Sequence, residues 1–140
     1  MFGTERSVRP PTRVLLVDDA EDYLALLKYQ LERFSEAVNV VAVNNPVHAL
    51  TLATEKKFDI VLSDLTMPQM DGLTLARLIQ ESGAETPIIL LSGREMALDN
   101  TADVSAVVLK TVSLQSVASQ LLFLITLICS MIEEPTFFIR

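Results

Sequence analysis

The residues of this chain that could do chemistry stand at the ends of short apolar runs. Two adjacent aspartates follow the first run, and single polar residues close the third, fourth and fifth: Asp18, Asp19, Asp64, Ser92 and Lys110. Carboxylate oxygens without histidine or cysteine suit a hard cation, and a small site with room for water and a phosphoryl oxygen favours Mg²⁺ over Ca²⁺. A carboxylate can also attack phosphorus to form an aspartyl phosphate. The set therefore predicts phosphoryl chemistry with Mg²⁺, if the fold gathers it.

Electrostatics predicts the roles of the remaining two residues, Ser92 and Lys110. At about 4 Å and an effective dielectric constant of about 20, two carboxylates repel by roughly 4 kcal/mol, so three of them need positive charge nearby. Lys110 can offer a compact positive charge to phosphoryl oxygens, and the hydroxyl of Ser92 can donate a hydrogen bond to them.

A parallel sheet would bring these residues to one edge. Five short and nearly continuously apolar runs are typical of strands that are covered on both faces. They are Val14–Val17, Val38–Val43, Phe58–Leu62, Pro87–Leu91 and Val104–Leu109. Helical patterns lie between them, which predicts an α/β fold with helices on both sides of the sheet. Ligands of such sheets bind at the carboxyl ends of the strands, where the candidate residues fall.

Three helices have clear sequence signals. The first has a spacing of three and four between the apolar residues Leu24, Leu27, Leu31 and Phe34, which predicts one core-facing stripe. The pair Asn45–Pro46 predicts the start of a second helix that ends near Lys56. A third helix follows Asp71–Gly72 and stops at Gly83; its apolar face holds Leu75, Ala76 and Ile79.

The last third of the sequence is less regular. Residues 93–103 are few for a crossover, so the fourth helix should be short. Ser113 is a candidate cap for the last helix, and Pro135 should keep it from continuing far. Residues Thr111 to Ile132 carry no charge, and Leu121 to Ile125 are all apolar, which a narrow core-facing stripe does not explain. A surface for a second copy or a protein partner on this helix, Leu121 to Ile132, is the favoured interpretation; an apolar monomer and a membrane span are the alternatives.

Composition limits the setting. The net charge of −7 argues against direct binding of nucleic acid, which needs basic residues. Cys129 is the only cysteine and the N-terminus has no apolar segment typical of a secretion signal, so a cytoplasmic location is expected. We expect one domain over residues 13–132, a loose arm at 1–12 and a tail at 133–140.

One stretch identifies a family. The sequence DLTMPQMDG, from Asp64 to Gly72, resembles the segment that follows the phosphoacceptor aspartate in the receiver domain of bacterial two-component response regulators, the CheY-like superfamily. The resemblance covers about Arg13 to Met131. It implies a flavodoxin-like doubly wound sheet with the strand order 2-1-3-4-5.

The resemblance also implies a role for each site residue. Asp64 would accept the phosphoryl group, Asp19 would bind Mg²⁺ directly, and Asp18 would act mainly through metal-bound water. The remaining roles fall on four residues: the backbone carbonyl of Thr66 as a metal ligand, Ser92 and Lys110 as phosphoryl-binding groups, and Thr66 with Arg94 as residues that tune hydrolysis.

Three departures from the family pattern are visible. Val107 stands where the family usually has a switching Tyr or Phe. Thr111 follows Lys110 where the family has a proline in a cis peptide bond, and a cis bond costs about 2.5 to 4 kcal/mol without proline. The span from Ser92 to Lys110 is also shorter than usual, which suggests altered signalling through that face.

We therefore expect a phosphoacceptor rather than a turnover enzyme. A histidine kinase or histidine phosphotransfer protein would supply the phosphoryl group, the receiver would catalyse its own phosphorylation and dephosphorylation, and the output would be a protein contact. One alternative is a degenerate receiver that binds partners or dimerises without phosphorylation. Another is an aspartate-nucleophile phosphohydrolase, although Thr66 stands where such enzymes commonly have a second aspartate.

Overall fold

Five short strands form one parallel sheet in the order β2-β1-β3-β4-β5, the order implied by the family resemblance. The computed structural model describes residues 10–95, 103–110 and 113–138. In chain order, the elements are β1 (Thr12–Val17), α1 (Glu21–Arg33), β2 (Val38–Val43), α2 (Pro46–Glu55), β3 (Ile60–Asp64), α3 (Gly72–Glu81), β4 (Ile88–Ser92), β5 (Ala106–Leu109) and α4 (Leu114–Phe138). The predicted doubly wound α/β class is confirmed.

The core has two layers because successive residues of a strand point to opposite faces. Val14 and Leu16 of β1 pack in the layer that also contains buried residues of α1 and α4. Leu15 and Val17 pack in the opposite layer with buried residues of α2 and α3. All four side chains are completely buried, so β1 is covered on both faces, as its continuous apolar run predicts.

Side-chain caps start two of the helices where the sequence predicts them. The side chain of Asn45 accepts hydrogen bonds from the backbone N–H groups of Val47 and His48, and Asp71 accepts one from Thr74. The buried leucine stripe of α1 is also confirmed. Phe34 is the exception: α1 ends at Arg33, so Phe34 leaves the stripe and is 52% exposed.

The region after β4 differs partly from expectation. The short fourth helix predicted within residues 93–103 falls largely on residues 96–102, outside the described part of the chain. Ser113 caps α4, since its hydroxyl oxygen accepts a hydrogen bond from the backbone N–H of Ser116 at 3.2 Å. The helix includes Pro135 and runs to Phe138, although the proline cannot donate a backbone hydrogen bond at its own position. The domain boundaries stay predictions.

Side chains of α1 cover the exposed edge of β2. The carboxylate of Glu32 accepts a hydrogen bond from the backbone N–H of Val40 at 2.8 Å, and the ammonium of Lys28 donates to the Val40 carbonyl at 3.0 Å. Lys28 and Glu32 also form an ion pair at 3.0 Å. Burial tends to raise the pKa of Glu32, but the hydrogen bond from Val40 and the contact with Lys28 outweigh it, and the pKa is lowered. This network satisfies backbone groups that an edge strand otherwise leaves open.

Candidate functional site

The strands deliver the candidate residues to one edge of the sheet. Asp64 and Ser92 are the last residues of β3 and β4, while Asp18 and Lys110 directly follow β1 and β5. β3 lies between β1 and β4, so Asp64 occupies the centre of the row. The backbone N–H of Lys110 donates a hydrogen bond to the carbonyl of Ser92 at 2.7 Å, which fixes the end of β5 beside β4. Parallel strand ends thus gather residues that are distant in sequence, as predicted.

Lys110 bridges two of the aspartates. Its ammonium lies 3.0 Å from Oδ1 of Asp64 and 3.2 Å from Oδ2 of Asp18, and it donates a hydrogen bond to each. The three side chains are only 18%, 12% and 2% exposed for Lys110, Asp64 and Asp18. These contacts are therefore screened less than ion pairs in open solvent.

The third aspartate completes an acidic cluster. Ligand oxygens of Asp18, Asp19 and Asp64 all lie within 4.8 Å of one another. Asp18 is held in place because its Oδ1 also accepts a hydrogen bond from the backbone N–H of Ala20 at 2.9 Å. Asp19 is exposed, so its carboxylate is accessible from solvent. Three carboxylates and one lysine leave an excess of negative charge, and an all-oxygen ligand set of this kind fits Mg²⁺.

The pKa directions reflect that excess. Burial raises the pKa of Asp64, and repulsion from Asp18 raises it further, while the hydrogen bond from Lys110 opposes both. Burial would lower the pKa of Lys110, but its contacts with Asp64 and Asp18 more than compensate, so the pKa is raised. Lys110 therefore stays charged, and further positive charge near Asp64 would stabilise its ionised form.

Ser92 and its neighbours occupy the rim of the cluster. Ser92 is buried, and its hydroxyl donates a hydrogen bond to the carbonyl of Arg94 while accepting one from the backbone N–H of Arg94 at 3.2 Å. The side chains of Thr66 and Arg94 are exposed. No metal or phosphoryl contact of these residues is tested by the structure, so their assigned roles stay predictions.

Of the two departures at switch positions, the structure describes Val107 but not Thr111. Val107 lies in β5 opposite Leu90 of β4 and is half-buried. Its short branched side chain stands at the position where the family resemblance predicts an aromatic ring. Thr111 lies outside the described residues, and the geometry of its peptide bond with it.

The start of α3 requires glycine at position 72 because the space beside it is too small for a side chain. A Cβ atom at Gly72 would lie 2.5 Å from the backbone oxygen of Asp64 and 2.8 Å from Cδ2 of Leu90. The backbone N–H of Gly72 donates to the carbonyl of Leu65 at 2.7 Å. The start of α3 is therefore packed directly on the backbone that carries Asp64, and only a hydrogen atom fits between them.

Tyr23 is a site residue that the sequence analysis missed. The centre of its ring lies 4.4 Å from the ammonium of Lys110, and its hydroxyl oxygen is buried with no hydrogen-bond partner in the described part of the structure. Burial raises the pKa of Tyr23, the charge of Lys110 opposes this, and Asp18 and Asp64 raise the pKa further. The available signal was its place in α1, one turn before Leu27 and five residues after Asp18.

A parallel five-stranded sheet with an acidic cluster and a bridging lysine at its carboxyl edge defines the class of phosphoacceptor receiver domains. The sequence matches the response regulator receiver domain family over residues 14–121. The chain belongs to this family. Phosphorylation on an aspartate, binding of Mg²⁺ at an acidic cluster and interaction with histidine kinases are general for its members.

Relatives and solved structures agree with this assignment. The transcriptional regulatory protein ResD of Bacillus subtilis is 37% identical over 83 residues, which are 59% of this chain and 33% of ResD. The regulator PhoP of alkaline phosphatase synthesis, from the same species, is 29% identical over 87 residues, or 62% of this chain and 35% of PhoP. The chain spans about a third of the length of these relatives.

The response regulator domain of Thermotoga maritima CheB superposes with a TM-score of 0.76 at 26% identity, covering 86% of this chain and 97% of that one. The receiver domain of the Francisella response regulator 1452 has a TM-score of 0.71 at 20% identity, with 82% and 97% covered, and shows likeness of fold alone.

Proposed function

We propose that Asp64 of this receiver accepts a phosphoryl group from a phosphohistidine on a histidine kinase or histidine phosphotransfer protein. A carboxylate oxygen of Asp64 forms the new bond to phosphorus as the bond from phosphorus to the histidine nitrogen breaks, and that nitrogen keeps the bonding electron pair. The observation that carries the proposal is the bridging of the buried Asp18 and Asp64 by Lys110 within a cluster of three acids.

The residues around Asp64 have complementary parts in this transfer. Mg²⁺ would be held by Asp18, Asp19, Asp64 and the carbonyl of Thr66, and when bound it supplies positive charge for the phosphoryl oxygens. Lys110 supplies a second positive charge, and its raised pKa keeps that charge in place across the neutral range. Ser92 would donate its hydroxyl to a phosphoryl oxygen after leaving the carbonyl of Arg94.

In this proposal the chain is a phosphoacceptor in the cytoplasm and not a turnover enzyme. Its own site catalyses phosphorylation from the donor and the later loss of the phosphoryl group to water. Thr66 and Arg94, whose side chains are exposed, are proposed to tune this hydrolysis. The relatives are transcriptional regulators by name, and this chain spans only about a third of their length.

The direct experiment measures the intact mass after treatment with acetyl phosphate and Mg²⁺. We expect a mass increase of one phosphoryl group in the wild type, its removal by hydroxylamine, and no increase in Asp64→Asn. Asp22→Asn is the matched control, because Asp22 is an exposed carboxylate in the first turn of α1. Absence of any increase in the wild type would favour the degenerate receiver, which Val107 makes the second candidate, and repeated turnover of an aryl phosphate would favour a hydrolase.

The output contact is proposed to involve a second copy of this chain through α4. Phe123, Leu127 and Met131 recur every four residues and are 67%, 45% and 59% exposed. α4 is also long and apolar enough to cross a membrane by composition, but Val117 and Leu121 on its other face are buried in the core. Two copies that each carry a net charge of −7 meet at the lowest electrostatic cost through an uncharged face.

Light scattering after size exclusion tests this contact. A phosphorylated wild-type dimer and a monomeric Phe123→Gln/Leu127→Gln variant are expected, with Gln115→Ala as a control at an exposed polar position of the same helix. A wild-type protein that stays monomeric at high concentration, or that sediments with neutral lipid vesicles instead, would contradict the second copy as the occupant.

A further inference from the structure

We propose that Tyr23 is a positioning residue that fixes the ammonium group of Lys110 beside Asp64. The inference rests on the proposed function of Asp64 and adds a residue outside the predicted site. The ring centre of Tyr23 lies 4.4 Å from the Lys110 ammonium, well inside the range of about 6 Å for a cation–π contact. Because Lys110 is largely buried, this contact is stronger than one at an exposed position.

The ring matters because the other two partners of the ammonium change during the reaction. Asp64 gives up its carboxylate charge when it becomes an acyl phosphate, so its ion pair with Lys110 is lost in that form. Asp18 belongs to the cluster that fits a divalent cation and would be shared with that cation. The face of the Tyr23 ring is neutral and takes no part in either event. Among the contacts that the Lys110 ammonium makes with described residues, it is the one that neither event alters.

The contact is made by the ring and not by the hydroxyl. The hydroxyl oxygen of Tyr23 is buried without a hydrogen-bond partner among the described residues, so it contributes nothing to holding Lys110. Phenylalanine would keep the ring face and remove an unsatisfied buried group, which costs nothing or stabilises the fold. Leucine would keep the bulk and the helix but lose the π system. Tyr23→Phe and Tyr23→Leu therefore separate positioning of the lysine from simple packing.

Competitive acetylation of lysines, read by peptide mass spectrometry, tests the contact in the unphosphorylated protein. We expect Lys110 to react roughly fivefold faster in Tyr23→Leu than in the wild type, because loss of the ring frees the amine. Tyr23→Phe should react like the wild type. Tyr29→Leu is the matched control: Tyr29 lies on the same helix, is 55% exposed and places its ring 5.7 Å from Arg33 instead. Equal acetylation of Lys110 in wild type and Tyr23→Leu would overturn the proposal.

The rate of phosphorylation by acetyl phosphate gives the second readout. We expect a roughly fivefold decrease in Tyr23→Leu and a wild-type rate in Tyr23→Phe and Tyr29→Leu. A Tyr23→Phe variant as slow as Tyr23→Leu would show that the hydroxyl acts and would overturn the role of the ring. If the wild type takes up no phosphoryl group, the proposed function fails, while the acetylation pattern still decides whether Tyr23 holds Lys110. Thermal melts of all variants confirm that each is folded.

Discussion

Two lysine–carboxylate ion pairs in this molecule have the same nitrogen–oxygen distance, but the pKa values of their carboxyl groups are shifted in opposite directions. At the β2 edge, Lys28 lies 3.0 Å from Glu32, and at the carboxyl edge of the sheet, Lys110 lies 3.0 Å from Asp64. The pKa of Glu32 is lowered, whereas the pKa of Asp64 is raised. The ion pair alone therefore does not decide whether a carboxylate is stabilised.

The surroundings account for the difference. Glu32 has a full set of donors, since Lys28 and the backbone N–H of Val40 both bind its carboxylate, and it is only partly buried. Asp64 is more deeply buried and shares one lysine with Asp18. A network in which every charge is matched stabilises the fold, while a network with an unmatched charge can be completed by a ligand. The first arrangement is structural and the second is suited to chemistry.

The largest expected difference between the two lysines is in phosphorylation rate. Lys110→Ala should lower the rate with acetyl phosphate about 100-fold or more, because a buried positive charge next to the reacting oxygens is removed. Lys28→Ala should leave the rate within about twofold, since the observed contacts of Lys28 are with Glu32 and with the Val40 carbonyl at the β2 edge. The measurement is the appearance of the phosphorylated mass over time. A Lys110→Ala rate near that of the wild type would show that the two lysines do not differ in this way.

Addition of Mg²⁺ should separate the two carboxylate sites next. Binding to the folded state alone stabilises the protein by about 1.4 kcal/mol when free Mg²⁺ is about ten times its Kd. We expect a higher melting temperature with Mg²⁺ in the wild type and in Glu32→Gln. The response should be lost in Asp19→Asn, which removes an exposed ligand without disturbing the core. A Mg²⁺ response that survives in Asp19→Asn would place the ion elsewhere.

Removal of the matched carboxylate should destabilise the fold. Glu32→Gln is expected to lower the free energy of unfolding by about 1 kcal/mol at pH 7, a value reduced from that of a buried charged hydrogen bond because Glu32 is partly exposed. Its folded pKa lies below the ordinary value of 4.5, so this contribution is complete above that pH and is lost as the pH falls through the folded pKa. Urea denaturation should therefore show a smaller difference between the two proteins at pH 3 than at pH 7.

The sequence predicted which residues gather at the carboxyl edge of the sheet, but it did not predict the Lys28–Glu32 network, for a physical reason. Residues at the ends of apolar runs must meet at one edge if the strands are parallel. Asp18, Asp64 and Lys110 could therefore be predicted to lie together without knowing the strand order. The Lys28–Glu32 network depends on β2 being an edge strand and on which backbone groups of Val40 point outward. That is known only once the sheet has been assembled.

Side-chain direction limited the prediction in α1. The apolar spacing identified Leu24, Leu27 and Leu31 correctly but extended the stripe to Phe34, because periodicity does not reveal where the helix ends. The same pattern passed over Tyr23, which lies next to that stripe and reaches the lysine after β5. Contacts between a helix and a distant strand end follow from packing, not from local spacing.

The smallest expected effect tests the comparison most directly. Without Mg²⁺, Asp64→Asn should leave the free energy of unfolding at pH 7 unchanged or raise it by less than about 1 kcal/mol, since it removes a buried carboxylate that Asp18 repels. The folded pKa of Asp64 lies above the ordinary value of 3.8, so ionisation of Asp64 lowers stability as the pH rises through the folded pKa. Any advantage of the variant should therefore vanish at pH 3, the opposite sign to Glu32→Gln. Urea denaturation of both variants at the two pH values makes the measurement. If Asp64→Asn is instead destabilised as much as Glu32→Gln, then Lys110 and Asp64 form a structural pair of the same kind as Lys28 and Glu32, and the unmatched charge that we assign to the site does not exist.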